Sequence, residues 1–475
     1  MRNRTRIGVF GWGVVAPRCP NVEMFRQNLA SGESWLAPFN GFGPDNFLVG
    51  TPEFRLEDYQ GWIEERFKPR RYQQLKEKMD GPSLYAIGAF IQSLAQNAGI
   101  ESELQRLGTQ CHVYIGTGLG NVATMYNESV RLHEAQLRWN EFWSSRPDDL
   151  RAYLEELAQN ESLAVEGDVD TGKLRVLREK DRLNTKLQQK WGAPEPPWKV
   201  SANVIWNIHN TPAAQVSMLG HITGMTFAPV AACSSFGVAL RLAMRAIQAG
   251  DARAVVVGAT DPAPHPLIVG SFYSARVLSA NGAVSAPLTR LQGTHVAGGA
   301  AVWIVADHDY MRALGFRPLG MEPLAVGVTS DARHIITPTE EGPKAAIAQA
   351  LGEAGISAEE IGTWDLHATA TPGDYSEMTM LSSVLPKSVL ATARKGTFGH
   401  GMSVGGAWEL TAQYLGYEAG RLFPTPFAST ELHPAIAALH DGFVFNVGCN
   451  MPQGAAGKLS MGIGGINACV VSRPW

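Results

Sequence analysis

Short, fully apolar runs recur along this chain, and Gly, Pro or Asp bounds each of them. Such runs are typical of strands buried on both faces, and we interpret them as parallel strands separated by helices. The predicted strands are 7–15, 112–116, 254–258, 300–306, 363–367 and 468–472. The helix-patterned segments include 83–98, 236–249, 342–354 and 406–418. This alternation predicts an α/β fold in which helices cover mostly buried sheets.

Composition and cysteine usage narrow the functional classes. The net charge is −4, and no basic block interleaves with aromatic residues, so nothing indicates a nucleic-acid partner. No apolar stretch reaches the roughly 18 residues that a membrane-spanning helix needs. The five cysteines are scattered without CxxC spacing, so neither a disulfide framework nor a zinc site is predicted. A reducing cytoplasm is the expected compartment.

Cys233 is the first candidate for chemistry. It lies in Ala-Ala-Cys-Ser-Ser (231–235), directly before a predicted helix. A helix N-terminus supplies partial positive charge and free N–H groups, which lower a thiol pKa and can hold a developing oxyanion. A cysteine before a helix is, by itself, more often a packed core thiol, so the assignment needs support from other residues.

Two histidines supply that support. His367 follows an apolar strand, so we expect it at the carboxyl end of the strand, where open α/β sheets bind ligands. His400 lies in a turn that follows Lys395 and leads into another helix. A thiolate that accepts an acyl group and two neutral imidazoles that polarise a second thioester carbonyl together predict an acyl-transferring enzyme. Lys395 either orients or tunes His400 or is a surface lysine.

Seven segments of the chain carry a family resemblance. They are 7–17, 113–121, 231–235, 329–338, 367–372, 395–409 and 462–467. In this order they resemble the motifs of the β-ketoacyl synthase family, the condensing enzymes of fatty acid and polyketide synthesis within the thiolase superfamily. The resemblance implies a thiolase-like five-layered αβαβα sandwich with two halves, 1–307 and 308–475. It also implies a homodimer, with a heterodimer with a second ketosynthase subunit as the alternative.

The resemblance implies ping-pong chemistry. Cys233 would take an acyl chain from a thioester of acyl carrier protein or coenzyme A, and malonyl carrier protein would then lose CO2 and attack the acyl group. His367 and His400 would assist decarboxylation, with Lys395 as a further catalytic residue. The product would be a 3-oxoacyl thioester that is longer by two carbons. No cofactor is implied. Because the sequence stops at Trp475 without a carrier domain, the carrier is expected to act in trans.

Further site residues follow from the same resemblance. The backbone N–H groups of Cys233 and Ile463 would form the oxyanion hole. The substrate-binding residues would be Thr369, Thr371, Ile463 and Gly464. No catalytic metal is implied, although family members can hold a structural cation near Glu409. Many relatives have Phe where this chain has Ile463, which leaves the chain-length preference open.

A charged segment, 128–199, departs from the strand and helix rhythm. Its composition predicts two or more amphipathic surface helices and a Pro-rich return. It is either a solvated helical insertion or an element that caps the substrate tunnel, widens an interface or docks a carrier protein.

The leading hypothesis is a discrete decarboxylating 3-oxoacyl carrier-protein synthase. The alternatives are an acyltransferase or a coenzyme A-dependent condensing enzyme of the same fold, and a non-catalytic partner subunit like a chain-length factor.

Overall fold

The chain divides into two compact units in a computed structural model that describes residues 5–42, 46–161, 169–335 and 339–475. The first, here called the sheet unit, comprises Met1–Val122 and Trp206–Trp475. The second, the helical unit, comprises Ala123–Ile205. We describe each unit by itself.

The described residues form 14 strands. They are β1 (Ile7–Val15), β2 (Ala37–Pro38), β3 (Leu48–Val49), β4 (Cys111–Gly116), β5 (Thr226–Phe227), β6 (Ala254–Asp261), β7 (Gly299–Asp307), β8 (Glu322–Ser330), β9 (Ile361–Asp365), β10 (Leu390–Thr392), β11 (Arg421–Leu422), β12 (Cys449–Asn450), β13 (Ala455–Gly462) and β14 (Ile466–Arg473).

The described residues also form 18 α-helices. They are α1 (Val22–Leu29), α2 (Gln60–Arg66), α3 (Arg70–Lys78), α4 (Gly81–Leu94), α5 (Ile100–Leu107), α6 (Val122–Ser144), α7 (Pro147–Glu161), α8 (Val169–Trp191), α9 (Asn203–Trp206), α10 (Thr211–Gly220), α11 (Ser235–Ala249), α12 (Pro266–Ser274), α13 (His308–Ala313), α14 (Glu341–Ala354), α15 (Gly373–Ser382), α16 (Lys395–Phe398), α17 (Gly405–Glu418) and α18 (Pro434–Ala437).

Two five-stranded sheets organise the sheet unit, in the orders β1-β7-β6-β4-β5 and β10-β9-β13-β14-β8. The all-parallel prediction is wrong. In the first sheet β4 pairs parallel with β5 and β6, whereas β7 is antiparallel to β1 and β6. In the second, β9 is parallel to β10 and β13, and β14 is antiparallel to β13 and β8. A continuous apolar run reports burial on both faces, and burial does not fix strand direction.

Three layers of helices alternate with the two sheets and give five layers in all. Helices α4 and α10 pack on the outer face of the first sheet, and α14 packs on the outer face of the second. Helices α11 and α17 lie between the sheets and contact strands of both. The largest apolar cluster fills this middle layer, where Trp303 and Trp408 are fully buried. The indole of Trp303 donates to Thr411 at 2.9 Å and that of Trp408 to Ala300 at 3.2 Å, which joins the first sheet to α17.

The predicted elements recur with shifted ends. Each predicted strand is present, but β9 ends at Asp365, so His367 lies in the loop that follows. Strands β8 and β13 were not predicted, although both belong to the second sheet. The two-halves division at 307 stays a prediction.

The helical unit contains three long helices, α6, α7 and α8, as the charged segment predicted. Its own small core consists of the buried residues Trp143, Tyr153, Leu183, Leu187 and Ala193. Its other faces are largely exposed. Among the helices that the structure describes, none is long and apolar enough to cross a bilayer.

Candidate active site

Cys233 lies in a tight turn between the two sheets. One 3₁₀ turn, Ala232–Ser234, precedes α11, and Ala232 has a φ of 47°, a region that non-glycine residues rarely adopt. The hydroxyl of Ser234 donates to the carbonyls of Ser460, at 3.1 Å, and Ile466, at 2.7 Å. The strained turn is thereby anchored on the β13–β14 hairpin, which carries Ile463.

His400 is the nearest described partner of the thiol. Its Nε2 lies 3.2 Å from Sγ of Cys233. Its Nδ1 accepts a hydrogen bond from the backbone N–H of Met402 at 3.3 Å. A neutral imidazole whose Nδ1 accepts carries its proton on Nε2, so Nε2–H donates to the sulfur. His400 therefore presents an N–H donor at the reactive atom.

His367 is held in place by carboxylates from α15. Oε1 of Glu377 accepts from the N–H of His367 at 2.7 Å, and Oε2 accepts from the N–H of Ala368 at 2.8 Å. Asp374 accepts from the N–H groups of Thr369 and Ala370 at 2.8 and 3.1 Å. The imidazoles of His367 and His400 lie edge to face, with ring centroids 5.5 Å apart.

Burial decides the protonation of the thiol. It raises the pKa of Cys233 to about 11, although Lys395 and the backbone N–H of Ile463 lower it. The low-pKa thiol expected at the helix N-terminus is therefore not found, because desolvation outweighs the groups that lower the pKa. Below about pH 11 the resting group is a neutral thiol that touches an N–H donor.

Burial also keeps both histidines neutral. It lowers the pKa of His367 and of His400 well below 6.5, and the ammonium of Lys395 adds to both effects. The alternative that Lys395 tunes His400 therefore agrees with this electrostatic effect, although the described hydrogen bonds of Lys395 go to other groups. Its Nζ donates instead to the carbonyl of His367 and lies 2.6 Å from Oε1 of Glu409. It is 3% exposed, so it is not a surface lysine.

A cavity of about 300 Å³ opens onto these groups. Cys233, His367 and His400 line it together with the predicted substrate residues Thr369, Thr371 and Ile463. Gly464 is absent from the described residues that line the cavity, and its N–H donates to the carbonyl of Ile335 at 2.7 Å. Apolar side chains form much of the wall, including Phe272, Val277 and Met461. The cavity thus suits an apolar chain that ends at the thiol.

The surroundings of Glu409 do not fit a cation. Its Oε1 binds Lys395, and its Oε2 lies 2.8 Å from Nζ of Lys458. Both oxygens of this carboxylate therefore already face an ammonium group, and like charge disfavours a metal ion there.

Sequence reasoning missed two functional neighbours, Glu377 and Lys458. A usable signal for Glu377 was present, since Asp374 and Glu377 stand three residues apart at the start of the segment that follows the His367 loop. Carboxylates at such positions accept backbone N–H groups. Lys458 lies within an apolar run, and nothing local identifies the carboxylates that it faces.

Two family models match the chain. One is the β-ketoacyl synthase N-terminal domain, over residues 177–309, and the other is the C-terminal domain, over residues 322–427. Together they cover just over half of the 475 residues.

Curated relatives share this similarity over most of their length. A 3-oxoacyl-acyl-carrier-protein synthase 2 from Vibrio cholerae is 24% identical over 421 residues, which is 86% of this chain and 84% of that protein. A putative mitochondrial 3-oxoacyl-acyl-carrier-protein synthase from Schizosaccharomyces pombe is 24% identical over 490 residues, with 98% and 97% covered.

Solved structures share the fold. One is a type II PKS acyl-carrier protein in complex with its ketosynthase bound to the hexaketide, with a TM-score of 0.72, 20% identity and 100% of both chains covered. Another is the ishigamide ketosynthase/chain length factor, with a TM-score of 0.72, 19% identity, and 99% of this chain and 100% of that chain covered. At these identities the likeness concerns the fold, which is that of ketosynthases.

Proposed function

Because the chain belongs to the β-ketoacyl synthase family of the thiolase superfamily, we propose that it is a decarboxylating 3-oxoacyl carrier-protein synthase. The observation that carries the proposal is the 3.2 Å approach of His400 Nε2 to Cys233 Sγ, in a cavity that His367 also lines. A chain-length-factor-like role needs none of these three groups.

The first half-reaction loads the enzyme. The sulfur of Cys233 attacks the carbonyl of an acyl carrier thioester, a new C–S bond forms, and the carrier thiol leaves with the proton that Cys233 gives up. The N–H groups of Cys233 and Ile463 stabilise the oxyanion of this step. The raised pKa of Cys233 disfavours the thiolate. Donation from His400 Nε2–H to the sulfur stabilises the thiolate that forms transiently.

The second half-reaction makes the carbon–carbon bond. The C–C bond to the malonyl carboxylate breaks, CO2 leaves, and its electron pair remains at the α-carbon as an enolate. The N–H groups of neutral His367 and His400 donate to the enolate oxygen. The α-carbon then attacks the acyl carbonyl, the C–S bond to Cys233 breaks, and the thiolate takes a proton from solvent.

Loading tests the first half-reaction. The protein is incubated with an acyl carrier thioester, and acyl-Cys233 is sought by mass spectrometry. Cys233→Ala should remove the adduct, whereas Cys449→Ala, which alters a partly exposed thiol, should retain it. An undiminished adduct in Cys233→Ala would refute the assignment.

Condensation tests the second half-reaction. His367→Ala and His400→Ala should each lose about 100-fold or more in CO2 release from malonyl carrier protein. Both should still load, His400→Ala more slowly than His367→Ala because it lacks the N–H donor at the sulfur. Equal losses in loading and condensation would contradict this division of roles. Loading without any CO2 release in the unaltered protein would favour acyl transfer to another nucleophile, and activity only with a second synthase would favour a partner subunit.

The proposal includes a homodimer in a reducing cytoplasm, with two halves at 1–307 and 308–475 and the carrier acting in trans.

The length of the acyl chain that the cavity accepts is the remaining specificity question. A series of acyl carrier thioesters of graded length, scored by acyl-Cys233 formation, gives the preferred length. Because Ile463 lines the cavity, Ile463→Phe should shift that preference.

A further inference from the structure

Lys458 places an ammonium group in the interior of the second sheet. Its side chain is 1% exposed. Nζ donates to the carbonyl of Leu366 at 3.2 Å and to that of Leu459. It lies 2.8 Å from Oε2 of Glu409 and 3.8 Å from Oδ1 of Asp365. Two backbone carbonyls and two carboxylates therefore surround one positive charge.

An all-oxygen set of carbonyls and carboxylates is the kind of surrounding in which proteins bind alkali and alkaline-earth ions. Here the ammonium fills the centre of that set, which agrees with the poor fit of a cation to Glu409. The fit is not complete, since Oδ1 of Asp365 is buried and accepts no hydrogen bond from the described residues. We propose that Lys458 is a tethered replacement for a monovalent cation, which supplies positive charge to this carboxylate pair and holds the backbone at His367.

Strand pairing places the lysine where it can act on the active site. Lys458 lies opposite Asp365 in the parallel β13–β9 pair, so both side chains stand on the same face of the sheet. Leu366, whose carbonyl Lys458 binds, directly precedes His367. The carbonyl of His367 itself binds Lys395. The two lysines therefore hold consecutive peptide groups and share Glu409 between them.

Charge gives Lys458 a second effect. The cations of the buried cluster are Arg394, Lys395 and Lys458, and its carboxylates are Asp365 and Glu409. These five groups alone leave one positive charge in excess, and the nearby carboxyl of Glu377, whose pKa burial raises to about 7, offsets it when ionised. Coulombic repulsion from Lys458 contributes to the lowered pKa of both His367 and His400. Lys458 thereby helps to keep the two imidazoles neutral, as their role as N–H donors requires. The described hydrogen bonds and ion pairs of Lys458 go to Leu366, Leu459, Asp365 and Glu409, none of which lines the cavity, so Lys458 is a positioning residue.

The test uses the full chain with Lys458→Met, which keeps the side chain unbranched, shortens it by one atom and removes its charge. Thermal unfolding is compared in potassium, ammonium and tetramethylammonium chloride at equal ionic strength. The variant should melt at a lower temperature in tetramethylammonium, which is too large for the site, and recover in ammonium or potassium. The unaltered protein should melt at the same temperature in all three salts.

A double variant provides the matched control. Lys458→Met combined with Glu409→Gln removes the carboxylate that would recruit the added ion, so its melting temperature should lose the dependence on cation identity. Histidine titration followed by NMR supplies a readout that a packing defect alone would not move. In Lys458→Met the titration of His367 and His400 should move to higher pH, and ammonium should move it back.

Activity completes the test and rests on the proposed function. Condensation by Lys458→Met should fall roughly tenfold or more in tetramethylammonium and recover with ammonium, as for other residues that orient catalytic groups. Melting and titration need no acyl substrate, so they can fail or succeed whatever the reaction proves to be. A folded Lys458→Met that is indifferent to the cation, with unchanged histidine titration, would overturn the inference. The inference also fails if Lys458→Met does not fold in any of the three salts. A dependence of the unaltered protein on the identity of the cation would refute it directly.

Discussion

At the residue scale, the thiol of Cys233 is governed by two opposing effects. Burial favours the neutral form, whereas Lys395 and the N–H of Ile463 favour the thiolate, and burial is the larger effect. The structure thus indicates that Cys233 is a neutral thiol at rest and becomes a thiolate only during attack. His400 is placed to lower the cost of that step because Nε2–H points at the sulfur.

Alkylation should reveal this resting state. With the Cys233 pKa at about 11, the thiolate fraction grows with pH. The rate of Cys233 modification by iodoacetamide should therefore rise about tenfold per pH unit between about pH 7 and about pH 10. Peptide mass spectrometry distinguishes Cys233 from Cys449, and Cys233→Ala identifies the signal. A rate that is already level above pH 7 would show a low-pKa thiolate and contradict the dominance of burial.

Glu377 should impose a pH dependence on condensation. Burial raises its pKa to about 7, and its carboxylate accepts the N–H groups of His367 and Ala368. Protonation removes acceptor capacity from this contact, so condensation should fall as pH drops through about 7, while loading of Cys233 changes less. Glu377→Gln resembles the neutral acid at every pH, so its condensation rate should be lower and nearly level between about pH 6 and about pH 8. Glu341→Gln, at an exposed position of α14, is the control. Its condensation rate should still fall as the pH drops through about 7.

The same carboxyl group has a defined effect on stability. Its pKa is raised from 4.5 to about 7, so between these values the folded state binds more protons than the unfolded state. Its contribution to stability is therefore present below pH 4.5 and is lost as pH rises through about 7. The lowered pKa values of His367 and His400 act oppositely, because their contribution is lost as pH falls below 6.5. Urea midpoints of the unaltered protein and Glu377→Gln, measured across this range, separate the two effects. If their difference stays constant with pH, the assignment to Glu377 is wrong.

At the element scale, strand β7, which sequence reasoning found, and strand β13, which it missed, differ in one respect. Strand β7 is uninterrupted apolar sequence over most of its length and all nine of its residues are buried, so its pattern was readable. Strand β13 carries Lys458 among apolar residues, which interrupts the apolar pattern that identifies a buried strand. A lysine is rarely buried unless it is paired, so the strand is recognisable only when the partners of Lys458 are known. Those partners, Glu409 and Asp365, come from another helix and another strand, so only the folded chain reveals them.

The turn after β13 should be sensitive to one added methyl group. A Cβ at Gly462 would lie 2.8 Å from the carbonyl oxygen of Ala231, so the backbone that presents Ile463 must move. Gly462→Ala should reduce acyl-Cys233 formation about 100-fold, the usual order for loss of one oxyanion donor. Gly352→Ala is the matched control, because its Cβ would meet nothing within 4 Å in α14. That control should keep its loading rate and gain up to about 1 kcal/mol of stability. Full loading by Gly462→Ala would exclude Ile463 N–H as an oxyanion donor.

At the scale of the whole molecule, motif order was more informative than local pattern. The separate segments with Cys233, His367 and His400 meet in one cavity, as their combined chemistry suggested. Strand direction and the buried charge cluster were not predictable, because both depend on contacts between residues far apart in the chain. The cluster joins Asp365 and Lys458, from strands β9 and β13, to Lys395 and Glu409, from helices α16 and α17.

The helical unit should lose stability without loss of chemistry when its own core is truncated. Leu183 is 4% exposed within the cluster of Trp143 and Tyr153, so Leu183→Ala should cost the unit about 2–5 kcal/mol. Leu177 lies on the same helix, α8, and is 61% exposed, so Leu177→Ala should change stability by less than about 0.5 kcal/mol.

Hydrogen exchange followed by mass spectrometry locates the effect. Leu183→Ala should speed exchange in peptides of α6, α7 and α8, leave β4, β6 and β7 protected, and leave acyl-Cys233 formation unchanged. The physical reason is that the unit has its own apolar cluster, and local unfolding follows such clusters. Faster exchange in both units at once would mean that they unfold together. A loss of acyl-Cys233 formation with normal exchange in the sheets would instead indicate that the helical unit takes part in substrate binding. That result would favour a functional role for the charged segment over a solvated helical insertion.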